Sequence, residues 1–307
     1  METLGLNSQT LTTYESLIVT LTAKPNCPLP LQQIPVDVAG LLPSRLVKLD
    51  DSGIAKLPIL AGNREVAVEE IFSVSRSSGQ AEPTLNWKLG AFTGRIDNLG
   101  RGLETGLIQV DGNPGADLGR EMSGGKIHIN GDAGTGVGRG QTGGCIAIQG
   151  NVGDQCGAAL AGARTGIRGG TIFVSGSAGD DCGSRMRRGL IVVSGTVGQR
   201  LGADMKAGTI FVDGSIDRLQ ASSLGRGMIR GTIICRELKQ TPAHFLYACR
   251  QRLVVQELID RQLDNVLTNR PAPVEYRIYS GDISEGGRGE LLVMKDQGSQ
   301  TKSTHFV

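Results

Sequence analysis

A glycine repeat with a period of 19 residues constrains this chain more than any other feature of its sequence. Each repeat is a short run of β-branched residues closed by a glycine, and these closing glycines are Gly112, Gly131, Gly150, Gly176, Gly195 and Gly214. The single longer interval, 26 residues between Gly150 and Gly176, indicates a seven-residue insertion in one repeat. A repeat of fixed length predicts an architecture of stacked, equivalent units.

The repeat unit corresponds to one strand followed by glycine-rich corners. Its β-branched residues alternate, as in Ile127 and Ile129 or Ile191 and Val193, so that both side chains of a pair point to the same side of a strand. The repeats are too short to contain a crossover helix, which argues against βαβ units. We therefore predict an all-β fold, a right-handed parallel β-helix or solenoid with about 19 residues per coil.

Two further columns are predicted to point into the solenoid. The first lies ten residues after each closing glycine and contains Met122, Gln141, Leu160, Met186, Met205 and Leu224. The second places Cys156 directly below Cys182. We interpret this pair as buried free thiols, because the cysteine content suits a reducing compartment; a disulfide between the two coils is the alternative.

The sequence outside the repeats predicts caps at both ends of the stack. Residues 1–85 are assigned to an N-terminal capping segment that begins with the strand LIVTLT, and residues 86–236 to the β-helix. Residues 237–270 are assigned to a C-terminal helix, because Leu246, Cys249 and Leu253 recur at helical spacing. The polar residues 271–307 are assigned to an extended tail that wraps a partner.

Composition and charge exclude several functional classes. A net charge of +2, from 32 basic and 30 acidic residues, provides no field for nucleic acid. The sequence has no run of about 20 apolar residues, so that no membrane span is expected. The acidic N-terminal stretch has no long apolar run and predicts no secretory signal, and we therefore predict a cytoplasmic protein.

Residues that carry chemistry are sparse, and we predict neither a catalytic residue nor a metal site. The histidines, His128, His244 and His305, have no partner at metal-ligand spacing. The run GTGVGRG lies in a corner with no following helix to bind phosphate, which argues against a nucleotide site. Carbohydrate-active β-helices cluster carboxylates on one face, whereas Asp111 and Asp213 lie five coils apart.

The repeats resemble a known family. The coils, the insertion after the third coil, and the MRRG and MxAGTI turns are similar to the C subunit of formylmethanofuran dehydrogenase and to its counterpart in the bacterial formyltransferase/hydrolase complex. The segment IPVDVAGLLPSRLVKLDDSGIAKLPILAGNREVAVEEIFSV resembles the one that precedes the coils in that family. The C-terminal domain of the glutamate synthase large subunit contains similar coils but lacks that leading segment.

The resemblance implies a non-catalytic scaffold in tetrahydromethanopterin-linked one-carbon metabolism. The implied partners are an amidohydrolase-like subunit, a formyltransferase subunit and a chain like the B subunit of the family's complexes, which would contain the metals and bind the methanofuran-type cofactor. This chain itself is expected to bind no cofactor. Two alternatives remain at this point: an interaction domain related to glutamate synthase, and a carbohydrate-active enzyme.

Two surface features are candidates for contact with partners. The outward strand positions Ala147, Phe173, Val192 and Phe211 form an apolar stripe, which we assign to a partner interface; coverage by this chain's own terminal segments is the alternative. A basic patch contains Arg185, Arg187, Arg188 and Lys206, with Arg164, Arg168 and Arg200 nearby. It is suited to an anionic cofactor tail or to acidic residues of another subunit, and a merely solvated edge is the alternative.

Overall fold

A computed structural model describes residues 17–24, 34–78, 82–90, 95–252 and 275–294. The strands in these residues are β1 Leu17–Ala23, β2 Val36–Asp37, β3 Pro58–Ala61, β4 Arg64–Ala67, β5 Phe72–Ser78, β6 Thr84–Lys88, β7 Ile96–Asp97, β8 Leu107–Asp111, β9 Lys126–Asn130, β10 Cys145–Ile148, β11 Arg168–Val174, β12 Arg188–Val193, β13 Thr209–Ile216, β14 Gly231–Leu238, β15 Phe245–Arg252, β16 Glu275–Gly281 and β17 Gly289–Met294. The short helices are α1 Pro43–Leu46, α2 Asp51–Ala55, α3 Val68–Ile71 and α4 Arg218–Ala221, with a 3₁₀ turn at Ile283–Glu285.

The predicted parallel β-helix is confirmed. Strands β8 to β14 are parallel neighbours in chain order, and the register pairs Ile108 with Ile127 and Ile191 with Ile210, 19 residues apart. Across the insertion, Ile146 pairs with Ile172. A second short parallel ladder joins Ala133, Val152, Ala178 and Val197 in successive coils. Residues one repeat apart therefore lie directly above one another.

The interior of the coils is a continuous apolar core. The paired strand residues, such as Ile127, Ile172 and Ile210, are fully buried, and so are Met122, Met186 and Met205 of the second inward column. Leu160 was assigned to that column, and this assignment is wrong. The insertion lies between Gly157 and Ile167, and Ile167 is the buried residue whose carbonyl accepts the N–H of Arg187, as the carbonyl of Met186 accepts that of Lys206.

Cys156 and Cys182 are buried and free, as predicted. A hydrogen bond with Cys182, and then desolvation, raise the pKa of the Cys156 thiol well above its ordinary value. The Cys156 thiol therefore stays protonated, and both buried side chains act as small apolar fillers of the core.

Polar side chains replace the strand ladder where the coils turn. The Oδ1 atom of Asn113 accepts the backbone N–H of Asp132 at 2.8 Å, and Asp132 accepts that of Asn151 at 2.6 Å. In the next two coils, Asn151 accepts from Ser177 at 2.9 Å and Ser177 from Thr196 at 3.0 Å. Each of these side chains satisfies a backbone donor of the following coil, which fixes the vertical alignment of the stack.

The N-terminal cap is confirmed as a small mixed element. Strand β1 lies parallel to β6 and antiparallel to β5, which forms the edge of the 13-stranded sheet. Strands β2, β3, β4 and β7 form a separate four-stranded sheet beside α1 to α3. At this end the interior is filled by Trp87, whose ring contacts Phe72 edge-on at a centroid distance of 5.1 Å.

The predicted C-terminal helix over 237–270 is wrong for its described part, and residues 253–270 lie outside the described residues. Residues 245–252 form β15, which pairs antiparallel with β16. The physical reason is the open edge of the sheet: β16 needs backbone partners, which a strand supplies and a helix does not. Leu246 and Cys249, which suggested the helix, are exposed on this strand.

The predicted extended tail over 271–307 is wrong for residues 275–294. These residues form β16 and β17, and β17 lies parallel to β14 with Ile234 beside Leu292. The sheet order is therefore β14, β17, β16, β15, so that β17 occupies the position of one more coil. Residues 295–307 lie outside the described residues.

Candidate functional site

One corner of the solenoid contains a ladder of ion pairs. Its arginines, Arg101, Arg120 and Arg139, recur at intervals of 19 residues in successive coils. Arg101 lies 3.2 Å from Glu121, and Arg120 lies 3.5 Å from both Asp117 and Glu121. In the next coil, Arg139 donates to Asp117 through Nε at 2.8 Å and to Gln155 at 3.0 Å. The corner of the first three coils is thus filled by arginine side chains.

The ladder stops at the insertion, and a cleft opens in its place. The next three residues in the same column are small, namely Ala158, Ser184 and Ala203. The last coil is longer than the repeat, and there Arg226 occupies this position, since its carbonyl accepts the N–H of Asp204 as the carbonyl of Ala203 accepts that of Arg185. The cleft has a volume of about 400 Å³ and is lined by Gln155, Ala158, Ala159, Asp181, Ser184, Arg185, Arg200, Ala203, Asp204, Ser223 and Arg226. A volume of this size suits a small ligand or a few side chains.

The cleft has three guanidinium groups and two carboxylates. Arg200 forms an ion pair with Asp181, and Arg185 Nε lies 3.6 Å from Asp204 Oδ2, beyond hydrogen-bonding distance. Within the described residues, the guanidinium of Arg226 has no hydrogen-bond or ion-pair partner. Two of the three arginines therefore have donors available for another group.

The predicted basic patch is divided by the fold. Arg185 lines the cleft and donates to the carbonyl of Ala163 at 3.3 Å, and Lys206 donates to the carbonyl of Arg164 at 3.0 Å. These two cations therefore hold the insertion against the corner. Arg187 and Arg188 are exposed and lie outside the cleft lining. Sequence reasoning included Arg200 but missed Arg226, because the coil before Arg226 is longer than the 19-residue repeat, as the pairing of Ile210 with Ile233 shows.

The apolar stripe lies on the outside of the sheet, but the prediction that it is an exposed partner interface is wrong. Phe173 and Phe211 are 7% and 6% exposed within the single chain, and Val192 is 1% exposed. Together with Ile234 and residues of β16 and β17, they form a second apolar cluster, against which Ala147 packs. The chain covers this stripe itself, which was the alternative.

The histidines do not assemble a site in the part of the chain that the structure describes. His128 is on the outer face of β9, as predicted; desolvation and then the nearby Lys126 lower its pKa. His244 contacts the carbonyl of Leu224 through Nε2 at 2.8 Å, and His305 lies outside the described residues. Among the described residues, no group of three or more His, Cys, Asp or Glu is placed to hold a metal ion.

Asp282 is the buried ionisable residue at the C-terminal end of the stack. Desolvation by itself raises the pKa of Asp282. The hydrogen bonds from the Ser284 side chain and from the backbone N–H groups of Gly227 and Ser284, together with the nearby His244, lower the pKa by more than desolvation raises it, so that the net shift is downward. The donors lie 2.7–3.0 Å from the carboxylate. Asp282 thus fastens the turn between β16 and β17 to the last coil.

The fold and its corners define a glycine-repeat parallel β-helix protein. Residues 95–267 match the family described as the GXGXG motif. The chain belongs to that family.

A solved structure supports the same assignment over nearly the whole chain. The chain is 32% identical to a chain in the crystal structure of the formyltransferase/hydrolase complex (FhcABCD) from Methylorubrum extorquens in complex with methylofuran. The TM-score is 0.76, and the match covers 90% of this chain and 100% of that one. The search of curated proteins gave no match. None of the helices in the described ranges has the length and apolar character needed to cross a membrane.

Proposed function

We propose that this chain is the C subunit of a formyltransferase/hydrolase complex in tetrahydromethanopterin-linked one-carbon metabolism, where it is a non-catalytic scaffold. The observation that carries the proposal is the likeness to a chain of the FhcABCD complex along the full length of that chain. A likeness confined to the coils would support only a shared fold, whereas this one includes the flanking elements.

The architecture supports a scaffold role. Side chains such as Trp87, Ile127 and Met186 fill the interior of the solenoid, so that its outer faces are the surface available to other molecules. The proposed partners are an amidohydrolase-like subunit, a formyltransferase subunit and a chain like the B subunit of such complexes. The proposed catalytic metals and methanofuran-type cofactor belong to those partners.

Arg187 and Arg188 are the proposed contacts for an anionic cofactor tail or an acidic surface of another chain. They fit this role chemically, because exposed guanidinium groups bind carboxylates in a bidentate manner. Neither side chain is needed to hold the insertion, in contrast to Arg185 and Lys206.

Affinity purification from the native host tests the proposal. The full chain with a tag is expected to retain an amidohydrolase-like subunit and a formyltransferase subunit in fixed stoichiometry, identified by mass spectrometry. The purified assembly is expected to transfer or hydrolyse formyl groups, and the isolated chain to do neither. Recovery of the chain as a monomer, or bound to a glutamine amidotransferase, would contradict the proposal; the second result would favour the glutamate synthase alternative.

A further inference from the structure

The corner cleft coincides with a change of residue type in one column of the repeat. It begins where the arginine column changes to Ala158, Ser184 and Ala203, and it ends where Arg226 resumes that column. Beyond the insertion the backbone pairing between coils is the same as in the filled part, since the carbonyl of Ala203 accepts the N–H of Arg185 as the carbonyl of Arg139 accepts that of Glu121. The small side chains of this column therefore leave open the space that arginine side chains fill in the first three coils.

The charges around this volume are unevenly matched. Asp181 is only 16% exposed and is paired with Arg200, so that its charge is compensated. Asp204 is 58% exposed and lies 3.6 Å from Arg185, a weak and solvent-screened contact. Arg226, in the next coil, contributes a positive charge with no partner among the described residues. The cleft thus presents two available guanidinium groups above a floor of small side chains.

We propose that this cleft binds an oxyanion with two or more carboxylate or phosphate groups, held mainly by Arg185 and Arg226. Guanidinium groups form paired hydrogen bonds with both kinds of oxyanion. Arg185 and Arg226 stand two coils apart, about 10 Å along the stack, and this spacing favours a multivalent anion over a single one. The inference concerns this chain alone and does not depend on the proposed complex.

The source of the anion is either a free small molecule or acidic side chains of a partner protein. Isothermal titration of the purified full chain with citrate and with pyrophosphate measures binding of a free anion. A tetraglutamate peptide measures recognition of a protein-like polycarboxylate. The same titrations on the affinity-purified assembly distinguish the sources: a partner segment already in the cleft blocks all three probes, whereas an open cleft binds them as the isolated chain does.

Three variants make the test specific. Arg226→Gln is expected to weaken binding at least tenfold. Ala203→Arg is expected to abolish binding, because an arginine there reaches Asp181 as Arg139 reaches Asp117 and refills the cleft. Arg230→Gln is the matched control, since Arg230 is exposed and outside the cleft lining, and it should leave the affinity unchanged.

Thermal melts of the three variants confirm that each remains folded. The absence of saturable binding of all three probes by the isolated wild-type chain overturns the proposal. Equal weakening by Arg226→Gln and Arg230→Gln also overturns it, since this result indicates nonspecific attraction to surface charge. Binding that survives Ala203→Arg places the anion elsewhere and has the same consequence.

Discussion

Gly183 tests whether the glycines of the repeat are required by packing or only by backbone conformation. It lies seven residues after a closing glycine and has φ of +67°. A β-carbon built on Gly183 meets Cδ1 of Ile210 at 2.4 Å, in the core of the neighbouring coil. Gly183→Ala therefore combines a left-handed alanine, costing about 1–2 kcal/mol, with overpacking, which costs about 1–3 kcal/mol.

Gly102 provides the matched control. It also has φ of +67°, but a β-carbon there meets nothing within 4 Å. Gly102→Ala is expected to lower the free energy of unfolding by the backbone penalty alone, about 1–2 kcal/mol. The difference between the two variants in the free energy of unfolding therefore measures the cost of packing a methyl group between neighbouring coils.

Urea unfolding at neutral pH, followed by circular dichroism, measures both variants. We expect the midpoint for Gly183→Ala to fall clearly below that for Gly102→Ala, with an unchanged slope. Equal midpoints would refute the packing argument, because they would show that the column tolerates a methyl group between coils.

The remaining predictions concern the outer cluster, the C-terminal turn and the cysteines. Phe211→Ala should destabilise the isolated chain by about 3–5 kcal/mol in urea unfolding. An unchanged midpoint would mean that Phe211 lies on the surface of the isolated chain and is buried only by another subunit. The lowered pKa of Asp282 contributes stability above the pKa of an unfolded aspartate, about 3.9, and this contribution is lost as the pH falls through the lower folded value. The difference in the free energy of unfolding between wild type and Asp282→Asn should therefore be largest at pH 7 and should decrease below a pH of about 4. A difference that does not depend on pH would contradict a stabilising role for the charge of Asp282. In thiol labelling at pH 8, exposed Cys249 should react before Cys156 and before Cys235, whose pKa burial raises to about 12, and equal rates would contradict their burial.

The sequence is sufficient to predict the solenoid because its information is periodic. The alternating Ile and Val pairs and the columns of glycine recur in phase, so that each coil independently supports the same interpretation. Cys156 and Cys182 follow from the same column arithmetic. Prediction failed locally at Leu160, since the repeat alone does not specify which residues of the insertion leave the column.

The C-terminal end is harder to predict because its elements are not repeats. The apolar residues Leu246 and Cys249 fit a helical spacing, but the unpaired edge of β14 determines the outcome through β17. Pairing between residues 58 positions apart, as between Ile234 and Leu292, leaves no local signal. The same long-range packing explains why Phe173 and Phe211 are buried although their strand positions point outwards.

The cleft is visible in the sequence only after the coils are aligned. Its signal is the change from Arg139 to Ala158 in one column. Arg226 gives no such signal, because its coil is longer than the repeat and the 19-residue column leads to Ser222. Charge alone indicated a different set of basic residues, of which only Arg185 and Arg200 line the cleft, because nearness in sequence does not fix which corner a residue occupies.

Removal of this chain from its native host tests the scaffold role most directly. The proposed formyltransferase partner carries the tag, and the composition of the assembly, by mass spectrometry, and its rate of formyl hydrolysis are measured with and without the chain. We expect that the amidohydrolase-like subunit no longer co-purifies and that the rate is lost, with both restored by the wild-type chain. An assembly of unchanged composition and rate in its absence would contradict the scaffold role.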